Sequence, residues 1–106
     1  MLTQLLTTFS DRDSALRLAR ELVDRRLAAC VQVIDPVTSV YRWKGAVHEE
    51  RETLCLMKVP EERLAPLVAY VRDHHPYDTP ELTVVPSSFV DERYLAWAER
   101  ETSPAG

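Results

Sequence analysis

Basic clusters, paired cysteines and long apolar runs are all missing from this chain of 106 residues, and each absence removes a class of function. The 13 Lys plus Arg are outnumbered by 17 Asp plus Glu, a net charge of −4, and nowhere gather into a patch able to track a phosphate backbone. Nucleic acid is therefore not an expected partner. No apolar run approaches the ~18 residues of a membrane span, and Met1 to Leu6 lacks the basic and long apolar regions of a secretory signal. We expect a soluble, unprocessed, cytoplasmic protein with no membrane partner. Cys30 and Cys55 lie singly inside apolar runs rather than in a CxxC pair, so no zinc knuckle or redox motif is written here. Both read as buried, reduced thiols. Internal repeats and low-complexity segments are absent too. The length suits one core, and we expect a single domain over residues 1–101 with a flexible tail at 102–106.

What is present reads as strand, helix, long hairpin, helix, strand, helix. Met1 to Phe9 has strand character, and Ser10 with Asp13 resembles a capping box opening a helix near Asp11. Ala15, Leu16, Leu18, Ala19, Leu22, Val23 and Leu27 recur at helical spacing opposite a charged side, so this helix buries one stripe on a sheet. Ala28 to Ile34 reads as a buried strand that Pro36 must bend. Beyond the bend Val37, Ser39, Tyr41 and Trp43 share one face, and Gly45 supplies a turn.

The returning strand, Ala46 to about Val59, far exceeds the ~5–6 residues of an average strand. Such a hairpin projects beyond its sheet and leaves Tyr41 and Trp43 uncovered unless another chain, or the last helix folding back, covers them. A second helix is expected over Pro60 to Asp73, with Pro66 tolerable only in its first turn. Leu82 to Val85 makes a fourth strand and Asp91 caps a last helix carrying Tyr94, Leu95 and Trp97. This order, βαββαβ plus a C-terminal helix, is the α+β ferredoxin-like split βαβ arrangement.

Between the second helix and the fourth strand runs His74-His75-Pro76-Tyr77-Asp78-Thr79-Pro80-Glu81, the densest group of polar chemistry in the chain. Pro76 and Pro80 hold the residues before them extended, so the helix ends here in a shaped corner. Two readings stand: a ligand-binding corner, or a plain helix stop whose histidines cap the last carbonyls. Adjacent residues on a helix diverge, so both imidazoles can reach one ion only if His75 lies past the helix end. A hydrolase is not written here, because Ser39 and Cys30 have no neighbouring base or cation in sequence.

Leu27-Ala28-Ala29-Cys30-Val31, Ser39-Val40-Tyr41-Arg42-Trp43-Lys44-Gly45, Glu52 followed by Lys58, His75-Pro76-Tyr77 with Pro80-Glu81, and Tyr94-Leu95-Ala96-Trp97 occur in an order and spacing that together resemble the CutA divalent-cation-tolerance family across nearly the whole chain. The resemblance implies a ferredoxin-like protomer assembled into a homotrimer through its long strands. It also implies a non-enzymatic role in metal tolerance and binding of copper or another divalent cation, with no metal needed for folding. In bacterial members with a proposed copper site, the ligands are a first-strand cysteine and two adjacent histidines. The histidines match His74 and His75, while the cysteine position holds Thr7, a much poorer partner for Cu(I), leaving imidazoles suited to Cu(II), Zn(II) or Ni(II). Val90, Val59 and Gln32 depart from the glycine, threonine and asparagine frequent in the family.

A second reading has the grooves of such an oligomer bind a small effector or a protein, with Tyr41, Trp43, Lys58, Tyr77 and Glu81 as the groove or interface residues. In a third the protein is an oligomeric scaffold whose metal role is indirect. Glu50 and Glu52, on one strand face, read as solvated or ion-paired surface.

Overall fold

The computed structural model describes residues 1–104. Its elements are β1 (Leu2–Phe9), α1 (Arg12–Asp24), β2 (Cys30–Trp43), β3 (Ala46–Pro60), a 3-10 turn (Glu61–Arg63), α2 (Leu64–His74), β4 (Thr83–Pro86) and α3 (Glu92–Glu101). The strands form one antiparallel sheet in the order β2-β3-β1-β4, the ferredoxin-like arrangement expected from the element order.

Alternation along β1 and β3 decides where the core lies. Leu5 and Phe9 of β1 and Cys55, Met57 and Val59 of β3 point to one face, where they are buried with Leu18 and Leu22 of α1 and Leu67 and Val71 of α2. Burial holds the Cys55 thiol up at about 11, so this sulfur is a packing group and not a nucleophile.

Local signals place the helices with small corrections. Asp11, not Ser10, is the N-cap of α1: its carboxylate accepts from the Ser14 amide at 2.9 Å and the Ser14 hydroxyl at 2.8 Å. The 3-10 turn takes the acidic pair Glu61 and Glu62 and delays α2 to Leu64, which puts Pro66 in the first turn. Pro36 does not split β2. The strand runs through it with an irregular register between Ile34 and Val37.

β1 pairs with β3 only from Thr53 to Pro60, so Ala46 to Glu52 has β2 as its sole neighbour. The overhang turns at Lys44 and Gly45, both with positive φ (50° and 80°), the geometry a two-residue hairpin demands. α3 does not fold back over it. That helix packs through Ala98, Leu95 and Trp97 on Leu2 and Ala29, and Val40, Tyr41, Trp43 and Val47 remain 64%, 39%, 49% and 63% exposed. Val90 joins the α3 cluster without strain, since positive φ among the described residues is confined to Arg26, Lys44 and Gly45.

The C-terminal end of α3 is held by two arginines. Arg26 donates to the carbonyls of Arg100 and Glu101 (3.4 and 3.2 Å), and Arg63 donates to that of Thr102 at 3.1 Å. Thr102, expected to open a loose tail, is fully buried and donates to the Ala98 carbonyl at 2.7 Å. Ala105 and Gly106 of that tail lie outside the described residues.

Arg26 makes these bonds from a left-handed backbone (φ 61°) at the end of α1, where the Leu27 amide reaches back to the Leu22 carbonyl and the Arg26 amide to that of Val23. Replacing it separates two effects. Arg26→Ala keeps the backbone cost and loses the tether to α3, so it lowers stability, by about 1 kcal/mol. Arg26→Gly loses the tether but removes the cost, and should be about 1 kcal/mol more stable than Arg26→Ala. Urea unfolding at one fixed protein concentration measures both, and equal midpoints for the two variants would remove the backbone argument.

Candidate functional site

Pro76 acts as the sequence suggests: His75 is the C-cap of α2 with extended backbone (φ −75°, ψ 134°), and its ring leaves the helix direction to enter the protein. It stacks on Phe9 with ring centroids 4.4 Å apart and planes 12° from parallel. Nε2–H donates to the Thr8 carbonyl at 2.9 Å, and Nδ1 accepts the Tyr77 amide at 3.1 Å. A carbonyl can only accept and an amide N–H can only donate, so these partners fix a neutral ring in the Nε2–H tautomer. Burial pushes the His75 pKa below its ordinary value, against the weaker pull of the Thr8 hydrogen bond and the Glu52 carboxylate.

His74 goes the other way. Still in the last turn of α2, it folds back to stack on Tyr70 at 3.9 Å and donates Nδ1–H to the Tyr70 carbonyl at 2.8 Å. Its Nε2 keeps a lone pair on an exposed ring. The corner expected to present two convergent imidazoles therefore presents one outward and spends both nitrogens of the other on the backbone. Thr7 adds no ligand from the surface, because its hydroxyl is buried without a hydrogen-bond partner. Among the described residues no three His, Cys, Asp or Glu side chains gather where they could hold a metal ion, so the side chains of this chain alone do not fit a chelate.

What the corner builds is a groove. Tyr77, fixed by its amide bond to His75, reaches across to donate its hydroxyl to Glu52 of β3 at 2.8 Å. On the hairpin Tyr41 donates to Glu50, also at 2.8 Å. Burial and the Glu52 carboxylate raise the Tyr77 pKa, and the bond to Glu50 raises that of Tyr41, so both phenols stay protonated as donors. The groove between the overhanging hairpin and the connector has a volume of about 540 Å³, within the range of small-molecule sites. Tyr41, Trp43, Tyr77 and Glu81 line it.

Lys58 does not join them. It pairs with Gln4 and Cys30 at the far end of β3, six residues from Glu52 and so ~20 Å away along the strand. Three acidic residues outside the expected groove set do line it: Glu50, Glu52 and Asp78. The signal for the first two was their shared face with Tyr41 and Trp43, whereas Ser10 and Thr8 are brought in by the end of β1, a contact no local pattern announces.

Comparison with known proteins bears directly on this arrangement. The family model described as CutA1 divalent ion tolerance protein matches residues 3–101. The divalent-cation tolerance protein CutA of Yersinia pestis (strain Pestoides F) is 40% identical over 92 residues, which cover 87% of this chain and 77% of that one. Among solved structures, the divalent cation tolerance protein (Cut A1) of Thermus thermophilus superposes with a TM-score of 0.90 at 36% identity, over 97% of this chain and 100% of its own. CutA of Synechococcus elongatus PCC7942 gives 0.92 at 36% identity, over 96% and 90%.

The buried neutral His75 makes stability depend on pH with a definite sign. The folded ring gives up its proton more readily than the unfolded one, so the unfolded chain binds more protons as pH falls through the ordinary value of 6.5. Stability is fully present above that value and declines on acidification below it. In thermal unfolding from about pH 8 to about pH 5 at constant protein concentration, His75→Gln should lose this acid-side slope. An unchanged slope would assign the dependence to other groups.

Proposed function

Because the chain belongs to the CutA1 divalent ion tolerance family, we propose that it acts in divalent-cation tolerance in the cytoplasm, without catalysis, as a homotrimer that meets its metal through His74. The observation that carries the assembly is the overhang of β3. Seven residues, Ala46–Glu52, lie beyond the reach of β1, and the exposed Val40, Trp43 and Val47 support the reading that other copies cover this hairpin.

His74 is the member of the histidine pair that can ligate, because its Nε2 lone pair is free, and an imidazole suits Cu(II), Zn(II) or Ni(II). His75 joins only by giving up its bonds to Thr8 and Tyr77. A lone imidazole makes a weak site, one that water or ligands from other copies must complete.

A second reading is favoured by the groove itself. Its three aromatic rings and fixed carboxylates form a shaped recess that the metal reading leaves unused, and it suits a small effector whose binding the oligomer reports.

Titration with Cu(II) and Zn(II), by calorimetry on protein whose trimeric mass has been established by light scattering, tests the metal reading. Saturable binding should disappear in His74→Ala and survive in His75→Ala, with trimeric mass kept in both and thermal stability lowered in the second. Absent binding, or binding indifferent to His74→Ala, would remove the metal from this corner; a monomeric mass would remove the trimer.

A further inference from the structure

The two long helices carry a polar cluster that neither the core nor the groove uses, and none of its residues belongs to the hairpin. Two pairs at i,i+4 spacing meet there, Glu21 and Arg25 on α1 and Tyr70 and His74 on α2. The Tyr70 hydroxyl donates to Glu21, Arg25 Nε stands 3.3 Å from the same carboxylate, and the Arg25 guanidinium lies 5.4 Å from the Tyr70 ring centroid. Tyr70 in turn holds His74 twice. Its ring, 14° from parallel, gives the imidazole a stacking face, and its carbonyl accepts Nδ1–H.

We propose that Tyr70 is the positioning residue of His74, fixing the ring so that a divalent cation enters through Nε2, and that Glu21 fixes Tyr70; this deepens the metal reading and rests on it. A histidine ligand works from one nitrogen while the other is tied down. A bond from Nδ1–H to a backbone carbonyl both selects the tautomer and raises the basicity of the nitrogen left free. Orientation matters most where one imidazole stands alone: without the stack its ring turns between rotamers and tautomers, and ordering it opposes binding. Glu21 serves twice. It tethers the Tyr70 hydroxyl across the two helices, and it compensates the Arg25 cation, which would otherwise oppose a second positive charge at His74. His75 has no such part, because both of its nitrogens are bonded to backbone.

Nitrogen NMR of protein with isotopically labelled histidine, at about pH 8, reads the tautomer of each ring, and His74→Ala assigns the signals. His74 should show Nδ1–H and His75 Nε2–H, opposite tautomers at adjacent residues. Zn(II) should move the His74 Nε2 resonance saturably and leave those of His75 in place. Tyr70→Leu should mix the His74 tautomers and weaken Zn(II) about tenfold, while Tyr70→Phe and Glu21→Gln, which keep the stack and weaken its tether, should lose only about threefold. Circular dichroism and mass establish that each variant is folded and assembled. Mixed tautomers at His74 in the parent, a Tyr70→Leu variant that binds as the parent does, or a Tyr70→Phe variant as impaired as Tyr70→Leu would each overturn the positioning role and leave the metal reading standing. Absent Zn(II) binding, or binding indifferent to His74→Ala, would overturn the metal reading and this role with it.

Discussion

A strand in an antiparallel sheet is protected only as far as its neighbours reach, and β3 at 15 residues is nearly twice as long as the β1 beside it at 8. Everything distinctive about the molecule follows from that mismatch. Where the two overlap, alternate side chains of β3 bury under α1 and α2, and the ordinary hydrophobic core forms. Where β1 stops, the core-facing alternation of β3 continues into Arg51, Glu49 and the exposed Val47 with nothing beneath it, while Glu50 and Glu52 on the opposite face become a wall of the groove.

The connector after α2 closes the groove from the other side, and it does so through one ring. His75 touches β1 by stacking on Phe9 and bonding Thr8, and touches its own connector through the Tyr77 amide. Tyr77 then bridges to β3 through Glu52. The imidazole is thus a structural crosslink between the first strand and the corner, and its neutrality is what allows one nitrogen to donate while the other accepts. That service explains why two histidines adjacent in sequence part company: the proline that frees His75 from the helix turns it inward rather than toward His74.

Much of this is legible in the residues. Helical spacing in α1, the hairpin turn at Lys44 and Gly45, the stop at Pro76 and the excess length of β3 are local patterns with local causes, and they suffice for the fold and for the aromatic side of the groove. The misreadings share one feature, proximity in sequence taken for proximity in space. Lys58 reads as a groove residue beside Tyr41 and Trp43, but it lies six residues beyond Glu52 on a strand that rises too steeply for it to reach them. His74 and His75 are adjacent, yet their partners, the Tyr70 and Thr8 carbonyls, become visible only once helix and strand are packed. Glu50 and Glu52 share a face by strand alternation, but nothing local shows that Tyr77 arrives from 25 residues away.

The two-stranded overhang also divides the chain into regions of different mechanical character. From Leu54 to Lys58 each β3 residue is paired on both sides, whereas from Ala46 to Glu52 it is paired on one, and a Cβ added at Gly45 would meet nothing within 4 Å. Opening the ladder there breaks one set of hydrogen bonds and exposes little apolar surface, so the hairpin tip unzips at far smaller free energy than the body. Amide exchange therefore grades along a single strand, fast at its beginning and as slow as global unfolding at its end, and any molecule that clamps the tip shifts that gradient without moving the core.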